Sequence, residues 1–172
     1  MEKLDLLVEK YKEWDVIPSR QNGFAVALPS DWKSESHGAE FVMYPENFTG
    51  ITDQGKIIRS PAVTLTIAFF EPTSKIFKKK ASKVYKEYLG NQHKFFKKYK
   101  RLWNKEYTLI SGDQAMLWGY EFERGAKRFA AICCLALKNR DLFIIDGSYL
   151  ISQTPKCEST VRRIVESLTL IS

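Results

Sequence analysis

The chain has 172 residues, a formal charge of +7, and 44% hydrophobic, 13% aromatic and 27% charged residues. This is ordinary globular composition at a length that one domain can fill, and it excludes a disordered, collagen-like or disulfide-scaffold protein. The longest apolar run, FAAICCLAL at 129–137, falls far short of the roughly 20 residues a membrane helix needs.

The N-terminal stretch MEKLDLLVEKYKEW mixes acids and lysines throughout, unlike a signal peptide. It sets the expectation of a soluble, cytoplasmic protein, or an extracytoplasmic one if a leader has been removed. Within it Leu4, Leu7, Val8 and Tyr11 recur at helical spacing and predict an amphipathic helix over 3–14. Pro18 and the polar SRQNG break that pattern. FAVAL (24–28), closed by Pro29, and EFVMYP (40–45) then read as strands, with SESHG as a loop between them.

Residues 46–61, rich in Gly, Asn and Asp, read as a long loop. It contains GITDQGKI, which has P-loop glycine spacing but places Ile57 where magnesium chemistry needs a Ser or Thr hydroxyl, and lacks a following helical pattern. AVTLTIAFF (62–70) alternates Val63, Leu65, Ile67 and Phe69 with Thr and Ala, a strand with one apolar face. Glu71 to Ser74 supplies helix-start signals, Gly90-Asn91 a stop or kink, and the expected element is a basic helical segment over 74–102.

From Glu106 the pattern alternates again through EYTLIS, QAMLWGYEFE, KRFAAICCLAL and DLFIIDGSYLI, with turn residues between them, an antiparallel meander. Thr154-Pro155 opens a C-terminal helix over 155–168, with Cys157, Val161, Ile164, Val165 and Leu168 on one face. The expected architecture is α+β: one domain over 1–172, strands within 24–70 and 106–151 forming an antiparallel sheet of about six to seven strands, and helices flanking it.

NGFAVALPSDWKSES followed by AEFVMYP resembles the opening of PsbP-like domains, in which an aromatic strand runs into Pro and then Trp; here those residues are Gly23, Phe24, Leu28, Pro29, Ser30, Asp31 and Trp32. The likeness continues in order through a threonine-rich strand, a helix, a strand ending in Ser111-Gly112, an aromatic hairpin and a closing helix ending in Ser167-Leu168. The PsbP-like superfamily, with its Mog-type and DcrB-like members, implies an antiparallel α/β/α sandwich and a non-catalytic binding or assembly factor, with a protein as partner. Members include the photosystem II extrinsic subunit and the Ran-binding Mog-type proteins; the acidic residues on which the Mog-type contact with Ran leans are not placed on this basic chain by the resemblance, so neither partner is carried over.

Residues 77–103 hold ten Lys and Arg against the single acid Glu87, and the remainder of the chain is slightly acidic. Read as a helix, Phe77, Ala81, Val84, Tyr85 and Tyr88 share one face, and beyond Gly90-Asn91 so do Phe95, Phe96, Tyr99, Leu102 and Trp103. The first reading is therefore a docked helix with a solvated lysine face. The second is a weak, salt-sensitive grip on an anionic partner (phosphate backbone, lipid surface or acidic protein) through Lys79, Lys80, Lys83, Lys86, Lys97, Lys98 and Arg101. Lysine outnumbers arginine nine to one there, which argues against base reading by bidentate Arg.

Catalytic chemistry finds no frame: His37 and His93 are solitary and no nucleophile elbow occurs, so no enzyme is expected. Three cysteines, two of them the adjacent Cys133 and Cys134, read as small core residues, and without a Cys-x-x-Cys spacing neither metal nor cofactor is expected. Asp146, inside the apolar FIIDGSY, reads as pointing outward or pairing with Arg or Lys.

Overall fold

The computed structural model describes residues 2–69, 81–92, 94–139 and 141–171. In chain order the elements are α1 (Lys3–Lys10), β1 (Asp15–Ser19), β2 (Phe24–Leu28), β3 (Trp32–His37), β4 (Glu40–Pro45), β5 (Thr49–Asp53), β6 (Lys56–Ser60), β7 (Ala62–Phe69), α2 (Ala81–Gln92), β8 (Lys97–Thr108), β9 (Gln114–Arg124), β10 (Lys127–Lys138), β11 (Asp141–Leu150), α3 (Thr154–Glu166) and β12 (Thr169–Leu170). Seven strands form an antiparallel sheet in the order β3-β4-β7-β11-β10-β9-β8, so β3 and β8 are its edges. A smaller sheet, β1-β2-β12, and a β5-β6 hairpin complete the strands. This is the expected α+β architecture with helices flanking an antiparallel sheet.

The central strands alternate between two cores, one on each face of the sheet. Val63, Leu65, Ile67, Leu117, Cys134, Phe143 and Ile145 face α3 and the small sheet, where Val161, Ile164 and Val165 meet Phe24, Val26 and Leu28. Met116, Trp118, Tyr120, Phe122, Phe129, Cys133 and Leu135 face α2, with Val84 and Tyr85 above them and Ile51 of the hairpin at one side. Adjacent residues of a strand point to opposite faces, which is why Cys133 and Cys134 sit in different cores. Every residue of β2 is buried, because Ala25 and Ala27 also pack against Leu7 and Tyr11 of the N-terminal segment.

Two glycines permit the closest approaches. A Cβ on Gly147 would lie 2.3 Å from Val161 Cγ1, so the bare backbone of β11 is what lets α3 settle on the sheet, and a Cβ on Gly119 would lie 2.4 Å from the Trp103 indole.

Four expectations are corrected. The polar stretch around Pro18 is strand β1, not only a break; Pro18 lies on the outer strand of the small sheet, where a missing N–H costs no ladder bond. SESHG is not a loop but belongs largely to β3, an edge strand with exposed side chains that carries no apolar alternation. The loop over 46–61 contains the β5-β6 hairpin, turned by Gln54 and Gly55 at positive φ of 49° and 77°, the backbone signature of a tight hairpin turn; Lys56 therefore starts a strand, where a P-loop requires a helix.

The fourth correction concerns the basic segment. The helix over 74–102 is not continuous: residues 71–80, which carry its start signals, lie outside the described residues, α2 runs from Ala81 to Gln92, and Lys97 onward is strand β8. Gly90-Asn91 lies in the last turn of α2, which stops one residue later at Gln92. The following Gln92 is buried and its Oε1 accepts hydrogen bonds from the Trp118 indole N–H (3.2 Å) and the Tyr99 hydroxyl (3.0 Å), which hold the last turn in place.

Candidate binding surfaces

Of the seven basic candidates, the five that lie among the described residues divide between two elements, α2 and β8. Lys79 and Lys80 lie outside the described residues. Lys83 and Lys86 are exposed on α2, whose Val84 and Tyr85 are buried, so this half is the amphipathic helix that its spacing predicts. Lys97, Lys98 and Arg101 stand on the edge strand β8, where side chains alternate between faces. Lys97 pairs with Glu123 across the ladder, whereas Arg101 pairs with Tyr120 and places a guanidinium nitrogen 3.5 Å from the Tyr85 hydroxyl, on the α2 side. Lys98 is held by Glu123 at 3.0 Å. Charges on an edge strand also keep it from pairing with like copies, and irregularities in the register at Lys97/Lys100 and Arg101/Trp103 reinforce that protection.

Asp146 points neither outward nor at an Arg or Lys among the described residues. It lies on the α2 face of β11, opposite Cys133 of β10 and Thr64 of β7, and accepts a hydrogen bond from the Tyr120 hydroxyl. Burial raises its pKa to about 6, against the opposing pull of the hydrogen bonds from Tyr120 and Cys133. Burial and the neighbouring carboxylate together push the Tyr120 hydroxyl well above the ordinary tyrosine range. Among the described residues its surroundings are core aromatics and the Cys133 thiol, with no second carboxylate or histidine in a catalytic pairing. The thiols are similarly quiet: burial drives Cys133 well above the ordinary range and Cys134 to about 12, away from the reactive thiolate. Among the described residues no three His, Cys, Asp or Glu side chains group as metal ligands, and no helix is long and apolar enough to cross a membrane.

The segment that carries the family resemblance lines a cleft of about 410 Å³. Pro29 and Trp32 form one wall, Pro45 and Pro61 another, and Lys156, Cys157 and Thr160 of α3 close it. Its floor is braced by a hydrogen-bonded bracket: Ser60 Oγ donates to Gln153 Oε1 at 2.6 Å while accepting the Leu150 N–H at 2.8 Å, and Gln153 Nε2 donates to Thr49 Oγ1 at 3.0 Å. Prolines and a bracketed glutamine leave these walls few rotamers to lose when something binds. Sequence reasoning singled out Pro29 and Trp32 as a motif but not as a site, because Pro61, Gln153 and Lys156 reach them only through the fold.

No protein-family model matches the sequence, and no curated protein matches it. By structure the chain is similar to cyanobacterial PsbP (CyanoP) of Synechocystis sp. PCC 6803, with a TM-score of 0.62, 12% identity and 92% of each chain covered. The fold is that of PsbP and Mog1. The Ran-binding protein Mog1p of Saccharomyces cerevisiae matches at a TM-score of 0.59 and 8% identity, over 92% of this chain and 96% of that one. LpqN of Mycobacterium tuberculosis, involved in cell envelope biogenesis, matches at 0.52 and 15% identity, over 87% of this chain and 83% of its own. Identities this low establish a shared PsbP/Mog-type fold, and a fold by itself does not assign an activity.

Proposed function

We propose that this chain is a non-enzymatic PsbP/Mog-type binding domain, an accessory or assembly factor whose partner is a protein engaged at the cleft between Pro29, Trp32 and the start of α3. The observation that carries this reading is the cleft itself: rigid, walled by one tryptophan and three prolines, and rimmed by Asn47, Thr49, Gln153 and Lys156. Protein partners are held by apolar anchors set into preformed pockets with a polar rim. The likeness to a Ran-binding protein supports a protein ligand, although nothing in that likeness names this one.

The test is affinity capture from native lysate, with and without nuclease, followed by reconstitution of the identified partner with purified protein. Three baits are compared: the wild type, a cleft variant carrying Trp32→Ala and Thr160→Arg, and a variant with Lys79, Lys83, Lys86, Lys97, Lys98 and Arg101 changed to Glu. A reconstituted partner that withstands nuclease and charge reversal but is lost with the cleft variant is the expected outcome. Binding that depends on nucleic acid and on the basic residues, with a steep salt dependence, would refute it.

A further inference from the structure

Three turns meet at one end of the molecule: Gln54-Gly55 between β5 and β6, Gly125-Ala126 between β9 and β10, and the turn at Lys94–Phe96 between α2 and β8. Together they line a cleft of about 420 Å³. The acids around it are committed to neighbours, since Asp53 pairs with Arg124 at 3.1 Å, Glu123 with Lys98 at 3.0 Å and Glu121 with Arg128 at 2.9 Å. Lys56, Lys94, Lys97 and Lys127, which flank the three turns, are exposed and join no ion pair among the described residues. The net effect is an end whose uncompensated charge is positive.

Lining the same cleft is Phe95, 81% exposed, the most exposed large apolar side chain among the described residues. The turn that presents it is fixed by backbone hydrogen bonds, Lys94 N–H to Asn91 O and Phe95 N–H to Gln92 O, each 3.1 Å. Its neighbour Phe96 turns inward, its ring centroid 4.5 Å from that of Phe122. A second exposed apolar residue, Ile57 at 72%, lies on β6 of the hairpin whose tip forms one side of the cleft. Holding a phenylalanine ring in water has no stabilising role in the fold, and exposed apolar groups at an end with uncompensated positive charge suit an interface that is both apolar and anionic.

We propose that this end of the molecule docks on the anionic surface of a lipid bilayer, with Phe95 inserted at the headgroup boundary and Lys56, Lys94, Lys97 and Lys127 against the lipid charges. A single-stranded nucleic acid is less well matched, because such sites stack successive bases on successive rings and here Phe96 and Tyr99 pack inward against Tyr120 and are not free to stack. The inference stands apart from the protein cleft, which lies beside α3 and shares no lining residue with this end.

The full chain is tested by co-sedimentation with vesicles of phosphatidylcholine alone and of phosphatidylcholine with one quarter phosphatidylserine. Binding is expected to the anionic vesicles, weakened by salt, and to fall about tenfold in Phe95→Ala, the loss of one partly inserted apolar side chain. Replacing the four lysines with Ala is expected to lower it about a hundredfold or more, at roughly fivefold per charge. Because the Phe95 ring is so largely exposed, Phe95→Trp keeps the fold and reports depth: its emission, taken as the difference from that of the wild type with its four tryptophans, shifts to the blue on anionic vesicles and is quenched by brominated acyl chains. Equal binding to both vesicle types, no loss in Phe95→Ala, or an emission of the Phe95→Trp variant that responds to oligothymidylate but not to vesicles overturns the proposal.

Discussion

Replacing Gly147 with Ala tests how α3 is seated on the sheet. The new Cβ would lie 2.3 Å from Val161 Cγ1, 3.1 Å from Val165 Cγ2 and 3.2 Å from Val63 Cγ2, and all three valines are fully buried. Val161 is fully buried, so its methyl has no open space to move into, and α3 must lift or the strand must bend. Overpacking of this sort costs about 1–3 kcal/mol; the upper part of that range is expected because three side chains are compressed together. Val161→Ala alone removes two buried methyl groups and is expected to cost about 2 kcal/mol. In the double variant the incoming methyl occupies space that Val161 has vacated, so the two losses should not add: a favourable coupling of about 1–2 kcal/mol is expected. Urea denaturation of the four proteins, with m-values compared, measures it. Strict additivity would show that the clash at Gly147 is relieved elsewhere and that the seating of α3 on a bare backbone is not what constrains this position.

Asp146 makes stability fall with rising pH. Its folded pKa of about 6 lies above the ordinary 3.8, so the native state holds the proton more tightly; its contribution is full below about pH 4, declines to about pH 6 and is level above. The change is of order 2–3 kcal/mol, and thermal melts of Asp146→Asn between pH 4 and 7 should lack that slope. Tyr120→Phe removes the hydroxyl that donates to the carboxylate; a further rise of the Asp146 pKa is expected, read as a shift of the same slope to higher pH. Ser167→Ala strips the buried Ala27 N–H of its acceptor at 2.9 Å and is expected to cost about 1–3 kcal/mol in chemical denaturation. Changing Lys97, Lys98, Lys100, Arg101 and Lys105 to Thr uncovers a long edge strand; concentration-dependent association by light scattering is expected, and a monomer at every concentration would refute the protective role of those charges.

The meander from β9 to β11 was legible because its residues alternate between two buried faces, and the α3 face was legible because Val161, Ile164, Val165 and Leu168 recur at helical spacing. The Pro29 to Trp32 segment pointed to the observed fold with only a few side chains. The first part of strand β8, up to residue 102, was misread for a physical reason: the half-buried residues of β8, Tyr99, Trp103 and Tyr107, recur every fourth position, as they would on a helix, and only from Glu106 does the alternation read as a strand. That spacing arises because β8 is an edge strand with irregular register, which exposes residues that a central strand would bury. No local pattern distinguishes the two cases, since the difference lies in whether β9 is there to pair with.

Segregation of positive charge into residues 77–103 is a property of the sequence alone. Where that charge goes is decided by tertiary structure: α2 turns Lys83 and Lys86 outward, β8 divides its cations between two faces, Glu123 neutralises Lys98, and the turn after α2 leaves Phe95 exposed beside Lys94 and Lys97. Period and composition report what one segment prefers on its own, whereas a cleft, an ion pair or an exposed ring is a relation between segments far apart in the chain. Such relations exist only once the sheet has brought those segments together.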